Sequence, residues 1–320
     1  MPPFDDLKVL SGNGHLQLAK DICKYLGTSL ASSEAFKFSN DNTFVRIKEN
    51  IRGKDVFIVQ SLSTPVNDNL MELLIMIDAA KRASAGRVTA VIPHYAYGRT
   101  DKKDQPRVAI TARLVADFLS VAGADRVLTL DLHAGQIQGF FNIPVDELTA
   151  IPILARHFES AAGSDFVVVA TDVGDAKRAR STARLLNSPI AIIEKQRLGN
   201  NDQVEAASLI GSVRGKTALI VDDEVGTGGT ILAAENALIE QGASEIFCAV
   251  THPLLSGDAS ELLKNSNIIK MAVADSVPVP PQSRWDRLEV LSIAPLLGEA
   301  INRIHTDQSV GAMFDGPDLT

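Results

Sequence analysis

Asp222 and Asp223 close an apolar run, Ala218-Leu219-Ile220-Val221, and Glu224-Val225 leads from them into Gly226-Thr227-Gly228-Gly229-Thr230. Glycines let backbone N–H groups turn inward and approach an anion, and a helix beginning at Ile231 would add partial positive charge. Such a junction suits a phosphate monoester. Carboxylates cannot bind that phosphate, but they accept hydrogen bonds from neighbouring sugar hydroxyls. Acids for a diol and a loop for a phosphate together read as a recogniser of a phosphorylated sugar; an ordinary strand–turn–helix is the plainer alternative.

Polar residues recur where other apolar runs end: His94, Asp131 and His133, Asp172, Lys195, and His252. In open α/β sheets ligands bind at the carboxyl ends of strands, so this convergence points to a catalytic cleft. His133 and Asp172 suit a hard divalent cation bridging phosphates, although a strand-end histidine on its own is more often a hydrogen-bonded one. Lys195 and Arg197 sit on a polar stretch, "KQRLGNND", that either closes over developing phosphate charge or is simply a solvated loop. "HYAYGRTDKKDQPR" (94–107) is a second basic loop, with Arg99 placed to reach a nucleotide phosphate. "GSVRGKT" (211–217) is a decoy. It has three residues between its glycines where a nucleotide loop needs four, and it precedes a strand instead of following one.

These residues need a scaffold. Runs at 55–61, 87–94, 126–133, 165–172, 190–196, 217–224, 245–252 and 270–276 read as buried strands. Amphipathic stretches such as 110–124 and 231–243 lie between most of them. Alternating strand and helix predicts a mostly parallel sheet covered on both faces. An internal echo doubles the pattern: "GKDVFIVQS" begins at Gly53 and "GKTALIVDD" at Gly215. Gln60-Ser61 stand where the second copy has its acid pair. The connection between halves is expected near 145–150, bracketed by Pro144 and Pro152.

The chain has 320 residues, a length that suggests about two domains. Its net charge of −8 argues against nucleic-acid or anionic-membrane partners. The two cysteines, Cys23 and Cys248, have no metal or disulfide spacing and read as buried thiols. No signal pattern or membrane-length apolar run is present, so a cytoplasmic location is expected.

Together the motifs resemble the ribose-phosphate diphosphokinase family, which makes phosphoribosyl diphosphate. The resemblance runs nearly end to end: "LSGNG" (10–14), "VNDNLMELLIMIDAAKRASA" (66–85), "GADRVLTLDLHAGQIQGFFNIPVD" (123–146), "DVGDAKRAR" (172–180), "ALIVDDEVGTGGT" (218–230) and "LSIAPLLGEAINRIH" (291–305). It implies an α/β fold of two tandem phosphoribosyltransferase-like domains, each a mostly parallel sheet flanked by helices. They are expected over 1–147 (the ATP side) and 148–304 (the ribose 5-phosphate loop), with 305–320 returning to the first. The implied reaction is Mg²⁺-dependent transfer of the diphosphoryl group of ATP, the co-substrate, to O1 of ribose 5-phosphate, releasing AMP. By position, Lys195 and Arg197 are implied as catalytic, and His133 and Asp172 as the metal ligands. Phe38, Asn40, Asp41, Asn42, Arg99, Thr100 and Asp101 fall on ATP. Asp222, Asp223, Gly226, Thr227, Gly228, Gly229 and Thr230 fall on ribose 5-phosphate. The resemblance also implies a homo-oligomer, a hexamer.

The chain departs from the family's usual pattern inside the site. Gly226 replaces a third acid, while Glu224 adds one two positions earlier. Asn42 replaces a carboxylate, Thr100 a glutamine, Pro253 a glycine, and Asp175 the second glycine of DxGG. Two other readings share the motifs: a weak or silent regulatory paralogue, and a phosphoribosyltransferase. The first predicts damage at His133, Asp172, Lys195 or Arg197, all of which are intact. The second predicts a single domain with its own base pocket.

Overall fold

The computed structural model describes residues 6–163, 165–197 and 204–314, with the side chains of 195–197 and 204–207 outside that description. The chain divides into two units: 1–149 with 276–278 and 292–315, and 150–275 with 279–291 and 316–320.

The first unit contains strands β1 (Leu7–Ser11), β2 (Ser33–Lys37), β3 (Thr43–Ile47), β4 (Asp55–Val59), β5 (Arg87–Ile92), β6 (Arg126–Leu130) and β7 (Val145–Leu148). Its main sheet runs in the order β1-β4-β5-β6-β7 and every pairing is parallel. β2 and β3 form a separate antiparallel hairpin. Helices α1 (Leu16–Leu26), α2 (Val66–Arg82) and α3 (Thr111–Ala122) cover the sheet. α2 is helical for the expected reason: Leu73, Met76, Ile77 and Ala80 recur on one face, and all are buried. They join Ile58, Val88, Ala90, Val115 and Val127 in one core.

The second unit contains α4 (Ile151–His157), β8 (Phe166–Ala170), α5 (Ala176–Leu185), β9 (Ile190–Arg197), β10 (Val204–Ile210), β11 (Thr217–Val225), α6 (Gly229–Glu240), β12 (Glu245–Pro253), α7 (Ala259–Lys264), β13 (Lys270–Ala274) and β14 (Leu288–Leu291). Its seven-stranded sheet runs β10-β9-β8-β11-β12-β13-β14. Only the β9–β10 pair at one edge is antiparallel. The sheet core gathers Val167, Val169, Ile220, Leu238, Val250 and Val273. Helix α8 (Ala294–His305) then returns to the first unit and packs on α1. Gly298 makes this packing possible, because a Cβ there would run into the Tyr25 ring.

The internal echo is structural as well. β4 and β11 each follow a left-handed glycine, Gly53 and Gly215, both at φ 69°. Each then sits second in a parallel series, β1-β4-β5-β6-β7 against β8-β11-β12-β13-β14.

Residues 292–304, expected with the second domain, group with the first unit, where α8 packs on α1. The polar stretch from residue 195 is not all loop. β9 continues through Lys195-Gln196-Arg197, paired with Ala207, Ala206 and Val204 of β10, so ladder hydrogen bonds override the polar composition. The acid pair lies within β11, as the strand expected over 217–224 has it, Asp222 standing opposite Val250.

Candidate active site

β8 and β11 lie side by side and parallel, with Ala170 opposite Val221. From β8 the chain passes through α5 to β9 on one side, and from β11 through α6 to β12 on the other. The connections thus diverge between these two strands. A crevice forms at the carboxyl ends of strands where such a reversal occurs, and it is where open α/β sheets bind ligands. Thr171, Asp172 and Asp175 leave the end of β8; Asp222 and Asp223 stand near the end of β11.

The acids are tightly grouped. Carboxylate oxygens of Asp175, Asp222 and Asp223 lie within 4.8 Å of one another, and this is the one such cluster of three metal-ligating side chains among the described residues. Asp222 and Asp223 are 6% and 4% exposed. Asp222 Oδ1 accepts from the Asp223 backbone N–H at 2.8 Å, and its Oδ2 accepts from the Thr171 hydroxyl at 3.0 Å. Burial, and then the charge of Asp175, holds the Asp222 carboxyl well above the usual carboxylate range. Asp175 is raised too, by burial first and the neighbouring Asp223 second.

The loop beyond the acids is built as the motif predicts. Gly228 takes the left-handed conformation (φ 85°) as N-cap of α6, and no side chain caps that helix. Its first-turn N–H groups are therefore available for an anion. Thr227, Gly229 and Thr230 are exposed. The Ser256 N–H donates to the Gly226 carbonyl at 2.9 Å and the Leu255 N–H to the Val225 carbonyl at 3.0 Å, which anchors the loop. Gly226 itself has room, since an added Cβ would meet nothing within 4 Å.

Asp172 is exposed and accepts from the Asp175 backbone N–H at 3.2 Å. It stands outside the three-carboxylate cluster. Lys195 and Arg197 lie at the end of β9 by their backbone, their side chains outside the described part, as are residues 198–203.

The remaining predicted residues lie in the first unit. His133 is exposed, and Gly98 passes so close that a Cβ there would stand 3.2 Å from the His133 Cβ. Arg99 and Thr100 are exposed beside it in sequence. Thr100 turns its hydroxyl back onto the Tyr97 carbonyl at 2.8 Å. Asp101 is buried and accepts from Gln136 Nε2 at 2.5 Å. Phe38, Asn40, Asp41 and Asn42 form the β2–β3 turn, closed by Phe38 N–H to the Asn42 carbonyl at 2.9 Å. Phe38 is 49% exposed and packs edge-on against Phe36 and Phe44, with centroids 5.2 and 5.6 Å away. Asp41 pairs with Lys37 at 2.9 Å. Gln60 and Ser61, the counterparts of the acid pair, are wholly buried and structural here. Gln60 accepts from Gly14 N–H and donates to Glu72, and Ser61 donates to the Ser276 carbonyl.

Asp175 is the site residue that sequence reasoning passed over. Its signal was present as a departure from the usual DxGG, but nothing local showed that it would meet Asp222.

Similarity to known proteins agrees with this geometry. A family model described as the N-terminal domain of ribose phosphate pyrophosphokinase matches residues 7–123, and one for a phosphoribosyl synthetase-associated domain matches 203–315. The chain is 49% identical over 310 residues to the ribose-phosphate pyrophosphokinase of Corynebacterium ammoniagenes, covering 97% of this chain and 98% of that protein. It is 50% identical over 311 residues to that of Caldanaerobacter subterraneus subsp. tengcongensis, covering 97% and 98%. The crystal structure of phosphoribosylpyrophosphate synthetase from Mycobacterium smegmatis superposes with a TM-score of 0.89 at 42% identity, over 94% of this chain and 99% of the other. Agreement of this extent in both sequence and backbone leaves one conclusion about kinship: the chain belongs to the ribose-phosphate pyrophosphokinase family, transferases of nucleotide biosynthesis.

Proposed function

We propose that the chain transfers the β,γ-diphosphoryl group of ATP to O1 of ribose 5-phosphate, giving 5-phospho-α-D-ribose 1-diphosphate and AMP. The observation that carries this reading is the contiguity, at a strand-order reversal, of a buried acid pair with an uncapped helix N-terminus. Asp222 and Asp223 would accept hydrogen bonds from the ribose hydroxyls. Residues 226–230 would hold the 5-phosphate through backbone N–H groups.

In the reaction O1 bonds to the β-phosphorus and gives up its proton to solvent, the bond from that phosphorus to its α-bridging oxygen breaks, and its electron pair leaves with AMP. Such a transfer needs alignment and charge neutralisation more than covalent help. Lys195 and Arg197 are the residues proposed to neutralise charge on the transferring group. Phe38, Asn40, Asp41, Asn42, Arg99, Thr100 and Asp101 are proposed for ATP. Asn42 carries an amide in place of a carboxylate, which accepts from the adenine amino group more weakly.

Mg²⁺ is the proposed cofactor, supplying neutralisation of phosphate charge. The exposed carboxylate of Asp172 fits it: Mg²⁺ takes one or two carboxylate oxygens and keeps waters. His133 is proposed as a further ligand in its own unit. A homo-oligomer, a hexamer by resemblance, is also proposed. Exposed Phe36 and Phe38 on the β2–β3 hairpin support a partner there. Among the described residues no helix is long and apolar enough to cross a membrane; a cytoplasmic location is proposed on the family's chemistry.

The test is AMP release from ATP and Mg²⁺, with and without ribose 5-phosphate, with phosphorus NMR of the products. Ribose-dependent AMP with a new diphosphoryl sugar is expected. Ribose 5-phosphate binding without turnover on any nucleoside triphosphate would replace this reading with the regulatory paralogue.

A further inference from the structure

We infer that Asp175 is a sugar-binding residue that sets selectivity for the ribose hydroxyls, as a third carboxylate beside Asp222 and Asp223. The inference rests on the proposed function and deepens it.

Asp175 is the N-cap of α5, and aspartate at that position ordinarily turns its carboxylate onto its own helix. Here it makes no such bond. The side chain instead faces the acid pair, with Oδ2 3.2 Å from the Thr171 hydroxyl. That hydroxyl has one proton and stands 3.0 Å from Asp222 Oδ2 as well, so it cannot fully satisfy both carboxylates. Among the described residues Arg178 pairs with Asp175, its Nε 3.5 Å from Oδ1. Charge-assisted hydrogen bonds run at about 2.7–2.9 Å, so this pairing is loose. A carboxylate has about four acceptor positions, and among the described residues Thr171 and the loose Arg178 pairing engage two of those of Asp175.

Exposure ranks the three acids. Asp222 and Asp223 are almost wholly enclosed, while the Asp175 side chain keeps 18% of its surface open. Of the three it is the one most open to an incoming molecule. Its position at the β8–β11 reversal, which forms a ligand crevice independently of any acidic residue, points to the occupant. With the 5-phosphate on the N-terminus of α6, the hydroxyl-bearing carbons fall to the acids. Three crowded carboxylates need donors, and a polyol offers several without adding charge.

The test uses the full-length protein with Asp175→Asn, which keeps the size and the helix cap. Asp175→Ser, another good N-cap, is the substitute should the first fail to fold. KM and kcat are measured for ribose 5-phosphate, 2-deoxyribose 5-phosphate and the 3-deoxy analogue. A hydrogen bond to a charged group is worth roughly tenfold or more in affinity. KM for ribose 5-phosphate should therefore rise about tenfold, with kcat and the KM for ATP changing by less than about threefold. The wild type's preference for ribose over one deoxy analogue should shrink by the same factor.

Unchanged KM and unchanged selectivity overturn the inference, as does a change in kcat alone. A change only in the Mg²⁺ requirement also overturns it, in favour of a cation among the acids. If the wild type releases no AMP, the proposed function fails by itself. Calorimetric titration of ribose 5-phosphate into wild type and Asp175→Asn then judges Asp175 separately: weaker binding to the variant supports it, and equal or absent binding overturns it.

Discussion

The Thr171 hydroxyl donates to Oδ2 of Asp222 across 3.0 Å, joining residues 51 positions apart at the ends of two neighbouring parallel strands. It is a small neutral donor facing a buried carboxylate that has two other carboxylates beside it. The arrangement is poised for a ligand and costly without one.

Asp222→Asn tests that cost. The folded protein holds the Asp222 proton to a higher pH than the unfolded chain does. Between the ordinary carboxylate range and the raised folded value, the unfolded state therefore binds fewer protons, and stability falls as pH rises through that window. The asparagine variant removes the penalty. Its Tm at neutral pH is expected to exceed wild type by roughly 2–4 °C, the size of a change of about 1 kcal/mol. Its affinity for ribose 5-phosphate should fall at least about tenfold, through the lost charged acceptor. Calorimetry on the free and ligand-loaded proteins checks both; a less stable variant would refute the account.

Asp55 is wholly buried and accepts from Arg87 Nε at 2.9 Å and Nη2 at 2.6 Å, while His305 Nδ1 lies 3.0 Å from its Oδ2. Arg87 also donates to the Ile304 carbonyl at 2.8 Å, so this cluster fastens the end of α8 to the first sheet. Asp55→Ala leaves the Arg87 charge without its carboxylate and should cost about 3–5 kcal/mol. Pairing it with Arg87→Met should recover much of the loss. Urea unfolding of Asp55→Ala, Arg87→Met and the double variant decides, and a double loss equal to the sum of the two single losses would show that the pair is not coupled.

How much of this was legible follows from sequence separation. β11 announced itself because its apolar run, its acids and its glycine loop are contiguous. Helix α2 did so through its spacing. β1, β2, β3, β7 and β14 fall outside the expected strands, each being only four or five residues long. β10 falls outside the expected strands too, and its pairing carries β9 one residue past the expected 190–196, to Arg197. Asp175 was the costliest omission. Locally it is an ordinary helix-capping aspartate, and it becomes a site residue only when β8 pairs with β11.

Both cysteines are buried, Cys23 at 3% exposure and Cys248 fully enclosed. Burial pushes the Cys23 thiol up to about 11 and raises Cys248 as well. At pH 8 a thiol of that pKa is thiolate in about one molecule per thousand, and the thiolate is the reactive form. Iodoacetamide should leave both residues unmodified in the native protein and label both in urea, as read by intact mass. Rapid labelling of the native form would refute the burial.

Lys195→Ala separates charge neutralisation from sugar binding. With the lysine proposed to act on the transferring diphosphoryl group, kcat should fall by about two orders of magnitude or more. Ribose 5-phosphate affinity, set by the acids and the α6 loop, should stay within about twofold. Equal losses in both would remove the transition-state role.

Gly226→Asp asks whether the sugar loop is short of a carboxylate. The position tolerates a side chain: its backbone is not left-handed, and an added Cβ meets nothing within 4 Å. Its carbonyl is held by the Ser256 N–H whatever the side chain, so the loop should keep its shape. If Asp175, Asp222, Asp223 and Glu224 leave a sugar hydroxyl without an acceptor, the new carboxylate should tighten ribose 5-phosphate binding by about tenfold. Unchanged affinity would show that Asp175 or Glu224 already meets that need. Repeating the titration in Asp175→Asn/Gly226→Asp distinguishes the two: recovery of wild-type affinity would mean that the added carboxylate serves the hydroxyl Asp175 serves, and no recovery would mean that the two acids face different atoms of the sugar.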